Sequence, residues 1–339
     1  MKRDSIMNKK PFFSFIVPNY GYQKYLFECF NSLVNQRVCD EFDYDILVCD
    51  QSDLDVYEKI KEDSNNKYGD RIRFIHNDVK GVLRARHTLV REAKGEYCIF
   101  VDSDDFVDRD YLFVIYENLK KHNFPDILIH NFIKCHEDGK DDPNLYTPFV
   151  CDERYLMDYF VYSNFFNEVV RKAFRRSLYE IDDKVDMESV ICDDWLLSFP
   201  LMMKAKSIVY VPEIQKYHYR MNSSSLTHTV KFEEAMKNLA VHDQYLSNLH
   251  PNSLQKKIFD SQIAMTYVAL GDMLIRDKNL TSKQFKDFCN NARDHLYDID
   301  INDTELYEMS KNHKKIYKLL KKNAYRRLKL IFKIRKLLH

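Results

Sequence analysis

The run Ile99-Phe100-Val101-Asp102-Ser103-Asp104-Asp105 sets three carboxylates directly behind an apolar segment. Concentrated negative charge is costly unless a cation joins it. Hard ions such as Mg²⁺ and Mn²⁺ take oxygen ligands, often one or two carboxylates completed by phosphates and water. The same aspartates can instead do no more than cap the helix that follows. A second acidic pair, Asp193-Asp194, precedes Trp195 and an apolar helical stretch over 196–203. It reads either as charge favouring a helix N-terminus, a contribution of ~0.3–1 kcal/mol, or as a general base activated by neighbouring carboxylates and partial burial. Farther on, Tyr217-His218-Tyr219-Arg220-Met221-Asn222-Ser223-Ser224-Ser225 is a cationic, hydroxyl-rich stretch. It suits either anion binding or a polar connection between domains.

The elements that must position these groups alternate. Phe12–Val17 reads as a buried strand ended by Pro18-Asn19-Tyr20-Gly21, and an amphipathic helix follows over 24–36. Strands at 44–49, 72–75 and 97–101 alternate with helices at 56–68 and 82–94, and another strand is expected between about 124 and 134. Such alternation with short connections predicts an α/β fold, a mostly parallel sheet sandwiched by helices. Ligands of these sheets bind beyond the carboxyl ends of the strands. The polar clusters after the first, second and fourth strands are therefore expected to meet in one crevice. From 231 to 312 the periodicity is helical, as in Ile263, Ala264, Tyr267, Leu270 and Leu274.

Taken in order, Val17-Pro18-Asn19-Tyr20, Val48-Cys49-Asp50-Gln51-Ser52, Gly81-Val82-Leu83-Arg84-Ala85-Arg86-His87, Lys94-Gly95-Glu96-Tyr97 and Val101-Asp102-Ser103-Asp104-Asp105 resemble the family-2 glycosyltransferases of GT-A fold. Cys192-Asp193-Asp194-Trp195 resembles that family's acidic E-D-W segment, and 217–227 its closing stretch. The resemblance implies an inverting enzyme that moves a sugar from a nucleotide-diphosphate donor, most simply a UDP-sugar, to a hydroxyl of a glycan or lipid-linked glycan in surface polysaccharide synthesis. It implies Mn²⁺ or Mg²⁺ on Asp104, with Asp102 holding the ribose or assisting the metal, Asp105 as an alternative ligand, and Ser103 between them. Pro18 and Tyr20 would lie at the nucleotide, Tyr20 stacking on the base. Asp50 and Gln51 would meet the base edge, Gln51 standing where the family commonly has a second aspartate. Arg86 would pin Asp102 or a phosphate. Asp194 matches the base position, with Asp193 in the place of the family's Glu, and His218 and Arg220 become phosphate contacts. The segment 137–190, with Arg171-Lys172 and Arg175-Arg176, would frame the acceptor pocket. The resemblance covers 12–227, so the expected domains are a GT-A domain over 11–227, a helical module over 228–312 and a tail helix over 313–339.

Composition excludes other chemistries. The six glycines among 339 residues leave no two closer than twelve positions, so G-x-G-x-x-G and G-x-x-x-x-G-K loops are absent. Eight cysteines form no C-x-x-C pair and no H-E-x-x-H occurs, so a local zinc signature is missing; buried-looking thiols point to a reducing, cytoplasmic compartment. No signal-peptide order and no apolar run near the ~18 residues of a spanning helix is seen. Nucleotidyl transfer would also use acidic metal ligands but leaves the second acidic pair idle. A non-catalytic scaffold leaves both idle.

The net charge of zero divides unevenly. Residues 311–339 hold twelve Lys/Arg and no Asp/Glu, leaving 40 basic against 52 acidic residues in 1–310. A body that acidic is not a nucleic-acid binder. At about 100° per residue, Ile316, Leu320, Leu328, Ile331, Ile334 and Leu338 share one side of a 314–338 helix, while Lys318, Lys322, Lys329, Lys333 and Lys336 gather opposite and Arg327 intrudes on the apolar side. This predicts a helix lying on an anionic membrane surface, peripheral on the inner face of the cell membrane. The competing use of the stripe is packing on the acidic body or on another copy of the chain in a homo-oligomer.

Overall fold

The computed structural model describes residues 10–137, 139–143, 168–179, 193–221, 230–247, 253–274, 277–299 and 311–338. They gather into two compact units, one formed by the described residues up to 221 and one by those from 230 onward.

In the first unit, β1 (Phe13–Asn19) is buried along its whole length, as a central strand covered on both faces must be. It pairs in parallel with β2 (Tyr44–Asp50) and with β4 (Tyr97–Phe100), and β3 (Arg73–His76) extends the sheet beyond β2. The register sets Asn19 beside Asp50 and Asp50 beside His76, so three strand ends share one rim. The helices α1 (Leu26–Val34), α2 (Leu54–Tyr68) and α3 (Val82–Glu92) link these strands, and α4 (Tyr111–Lys121) follows them. In α1 the buried set Leu26, Cys29, Phe30 and Leu33 has the spacing of one helix face. Gly95 opens β4 where no side chain fits, since a Cβ there would lie 2.6 Å from the Phe13 carbonyl carbon and the Ser14 nitrogen.

A short β5 (Phe106–Val107) follows the acidic turn. The single strand expected between 124 and 134 is two strands in different sheets, β6 (Ile127–His130) and β7 (Ile133–Cys135). Asn131 causes the break: its backbone N–H donates to Ile214 O and its side-chain amide to Pro212 O, so it leaves the ladder. Completing the unit are β8 (Asp142–Pro143), β9 (Lys172–Arg175), α5 (Asp193–Lys204), β10 (Ile208–Val211) and β11 (Tyr217–Arg220). The larger sheet runs β10-β6-β9-β4-β1-β2-β3, parallel except for β9, which is antiparallel to both neighbours. The smaller runs β5-β11-β7-β8. This is the mostly parallel, helix-flanked α/β sheet that the alternation predicted.

Arg171 and Lys172 carry charge into this sheet. Arg171 is fully buried, its guanidinium donating to His130 O at 2.9 Å and Asn131 Oδ1 at 2.8 Å. His130 accepts from the Tyr111 hydroxyl at Nε2 and donates from Nδ1 to Asn131 O, while burial drags its pKa down to about 3, so it stays neutral.

The second unit is helical: α6 (Phe232–Ser247), α7 (Ser253–Leu274), α8 (Ser282–Leu296), α9 (Lys311–Lys321) and α10 (Tyr325–Leu338). Thr281 and Gln284 close a reciprocal capping box at the start of α8. Leu239, Tyr267, Leu270, Phe285, Phe288 and Leu296 fill its core. The tail departs from the single membrane-lying helix. Asn323, at φ 50°, ends α9 in the left-handed region, and Ala324 N–H returns to Leu319 O at 2.8 Å. Ile316, Leu320 and Leu328, half of the stripe assigned to lipid, are buried in this core, because the helical unit itself covers them. Ile334, Leu338, Lys333 and Lys336 have side chains outside the described residues. Among the described residues no helix is long and apolar enough to cross a membrane.

Candidate active site

At the ends of β1 and β2, most polar groups are already engaged. Asp50 is fully buried; one oxygen accepts from the Asn19 amide and the other from Ser52 N–H at 2.9 Å. Gln51 donates to Val79 O at 2.6 Å and accepts from Gly81 N–H at 3.0 Å. The resemblance implies a base edge for Asp50 and Gln51; in the structure they clamp the rim and the 79–81 turn that leads into α3. Gly81 sits at φ 140°, where a side chain would be strained. Pro18 is buried within β1. Tyr20 stands out from the rim, 51% exposed, with Lys80 donating to its hydroxyl at 2.5 Å and its ammonium 4.4 Å from the ring centre. An aromatic face open to solvent at a strand end can stack on a planar ligand.

Beyond β4 the chain turns sharply, Asp105 N–H donating to Asp102 O at 3.0 Å. The three carboxylates separate in role. Asp105 is buried and accepts from the Tyr217 hydroxyl at 2.5 Å and from Arg220 N–H at 2.8 Å. Its pKa is pushed well up by burial, then by Asp102 and Asp104. Tyr217 also takes Asp102 N–H at 3.2 Å, which fastens the turn to β11. Asp105 is thus spent on the scaffold. Asp102 and Asp104 remain partly exposed, and Ser103 between them is buried. Two part-exposed carboxylates on a tight turn match the oxygen donors of Mg²⁺ or Mn²⁺ when a ligand's phosphates and water complete the shell. Among the described residues no group of three His, Cys, Asp or Glu is gathered to hold a metal ion.

Arg86, from the buried face of α3, joins this turn to the second acidic segment. One guanidinium nitrogen donates to Asp102 Oδ1 at 2.8 Å and the other to Asp194 Oδ1 at 2.7 Å, with the group over the Phe100 ring. The side chain is 4% exposed, whereas Asp102 and Asp194 keep 31% and 35%. Asp194 lies in the first turn of α5, anchored by buried Trp195, Leu196 and Leu197. The Arg86 guanidinium is therefore a direct neighbour of its carboxylate. Asp193 opens α5, and its side chain, like Cys192, lies outside the described residues.

The side chains of the other assigned residues are engaged within the protein. His218 stacks on Phe106 with ring centres 4.3 Å apart and bonds Asp108 at 2.8 Å, while Arg220 pairs with Glu28 and lies over Tyr25 and Phe106. The His218 side chain braces the small sheet, and that of Arg220 ties this sheet to the start of α1. Arg171 and Lys172 point inward instead of framing an open pocket; Lys172 Nζ donates to Glu168 O at 2.7 Å, and burial brings its pKa down to about 7 against the pull of Glu168 and Asp194. Arg175 pairs with Glu96 and Asp126, and Arg176 donates to Gly95 O. Most of 137–190 and all of 222–229 lie outside the described residues. Sequence reasoning missed Asn19, Lys80 and the Tyr217 hydroxyl. Asn19 was legible only as a turn residue, and nothing local marks the other two.

Residues 14–181 match the model of the family described as Glycosyl transferase family 2. The poly(ribitol-phosphate) β-N-acetylglucosaminyltransferase TarS of Staphylococcus aureus is 32% identical over 100 residues, 30% of this chain and 17% of that one. The putative glycosyltransferase EpsH of Bacillus subtilis is 25% identical over 254 residues, 72% of this chain and 70% of its own. Among solved structures, TarS 1–349 superposes with a TM-score of 0.66 at 17% identity, covering 96% of this chain and 92% of that one, and has also been solved with UDP-GlcNAc. The mannosyltransferase PcManGT of Pyrobaculum calidifontis, in complex with GDP-Man and Mn²⁺, has a TM-score of 0.51 at 13% identity, covering 96% and 87%. The fold is that of the GT-A glycosyltransferases.

Proposed function

Because this chain belongs to glycosyl transferase family 2, we propose that it transfers a sugar, with inversion, from a nucleoside-diphosphate donor to an acceptor hydroxyl in surface polysaccharide synthesis. The observation that carries the reading is Arg86, which ties the metal-suited turn and the α5 carboxylate into one site. A UDP-sugar is the donor, supported by the complex of TarS with UDP-GlcNAc. The acceptor is a hydroxyl on a glycan or polyol-phosphate chain, supported by the poly(ribitol-phosphate) acted on by the same relative.

The residues divide the work. Tyr20 offers its exposed ring to the base, within a rim that Asn19, Asp50 and Gln51 hold rigid. Asp104, with Asp102, would hold Mn²⁺ or Mg²⁺ against the diphosphate, where the ion supplies Lewis-acid stabilisation of the departing charge. Asp194 accepts the proton of the acceptor hydroxyl as its oxygen attacks the anomeric carbon and the bond to the diphosphate breaks, its electron pair leaving with the diphosphate. Arg86 fixes the Asp194 carboxylate relative to the turn.

Thermal unfolding tests donor binding. Ligand at a hundred times its Kd stabilises the folded chain by about 2.7 kcal/mol. UDP with Mn²⁺ is expected to raise the Tm of the wild type by several degrees and to leave a folded Asp104→Ala variant unmoved, with Asp102→Ala affected less. An equal rise in Asp104→Ala removes that residue from the donor site.

A further inference from the structure

The carboxy-terminal helices present a basic face, and half of the apolar stripe opposite it is covered by the helical core. Ile316, Tyr317, Leu320 and Leu328 are buried in the helical core, whereas Lys314, Lys315, Lys318 and Lys322 are exposed. At about 100° per residue Lys314, Lys315 and Lys318 fall within an arc of about 100° on α9, and Lys322 follows in the turn just past its end. On α10, Arg326 and Arg327 are exposed as well. Lys321 and Lys329 are tied down, donating to Ile299 O and to Ser282 Oγ. Among the described residues no ion pair involves the six exposed cations, and no acidic residue occurs anywhere in 311–339. Like charges held this close repel one another until a polyanion meets them and releases its own condensed counterions.

An interfacial helix binds lipid through buried apolar area together with charge. Here Ile316, Leu320 and Leu328 of the apolar stripe are spent inside the unit, and Leu330 is the one exposed large apolar residue of α9 and α10 among the described side chains. A face that binds by charge alone, along some 12 Å at ~1.5 Å per residue, suits a chain with regularly spaced phosphates. We propose that this face binds a linear phosphodiester-linked polymer, which serves as the acceptor. The inference rests on the glycosyl-transfer reading only for the word acceptor; binding itself stands apart from it.

The test uses the full chain without donor, with poly(ribitol phosphate), phosphatidylserine vesicles and neutral dextran as probes. The wild type is expected to bind the polymer and not dextran, with a log-log salt slope of roughly −3 for four contacts at about 0.7 each. The combined variant Lys314→Glu, Lys315→Glu, Lys318→Glu, Lys322→Glu is expected to lose on the order of tenfold or more of that affinity. Its Tm and its acceptor-free hydrolysis of nucleotide sugar should equal those of the wild type. Unchanged polymer affinity in the folded variant overturns the proposal, and so does a loss seen with vesicles but not with polymer. Absence of donor hydrolysis in the wild type would instead sink the glycosyl-transfer reading while leaving the polymer result to stand or fall alone.

Discussion

Asp194→Asn is expected to reduce transfer by ~10²–10⁴-fold, the range for loss of a general base, while donor binding persists. The exchange is nearly isosteric. It keeps an Oδ1 to accept from Arg86, now 2.7 Å from the carboxylate, and removes the charge that takes the acceptor's proton. Steady-state transfer together with nucleotide affinity separates the two effects. Asp193→Asn is the control, because the neighbouring residue opens the same helix. If Asp193→Asn is inactive and Asp194→Asn works normally, the base is one residue earlier.

Replacing Arg86 should disturb both halves at once. Removing one partner of a buried ion pair costs ~3–5 kcal/mol, and the cost falls to about 1–3 kcal/mol here because both carboxylates reach solvent. Arg86→Met should therefore lower the Tm and abolish transfer together. Arg86→Lys separates stability from geometry: an ammonium keeps the charge but lacks the planar fork that reaches two carboxylates. It should stay folded, bind UDP within a few fold of the wild type, and transfer more than tenfold slower. Full transfer by Arg86→Lys would show that charge alone suffices and that the bridge does not orient Asp194.

What could be read in advance follows the physics of burial. β1 announces itself because both its faces are covered, and the polar residues behind β1, β2 and β4 stand out against such strands. In contrast, β9 was hidden: Lys172 and Arg175 carry charge, and only the ladders to β4 and β6 make the segment a strand. Gln51 shows a related limit, since its type admits a base contact but the partners of its amide depend on where the 79–81 turn falls. The tail stripe of Ile316, Leu320 and Leu328 was correctly seen as one face. A period of 3.6 says nothing of what covers a face, and the protein's own helices do so here. The resemblance gave Arg86 either Asp102 or a phosphate as partner, but its contact to Asp194 spans elements that only the folded chain brings together.

The most direct measurement is release of nucleoside diphosphate from a panel of UDP-, GDP- and dTDP-sugars by the full chain with Mn²⁺ or Mg²⁺. Turnover of at least one UDP-sugar, lost in folded Asp104→Ala and strongly reduced in Asp194→Asn, is the predicted result. A folded wild type that releases no nucleotide from any donor, with either ion and with glycan or polyol-phosphate acceptors supplied, would contradict it.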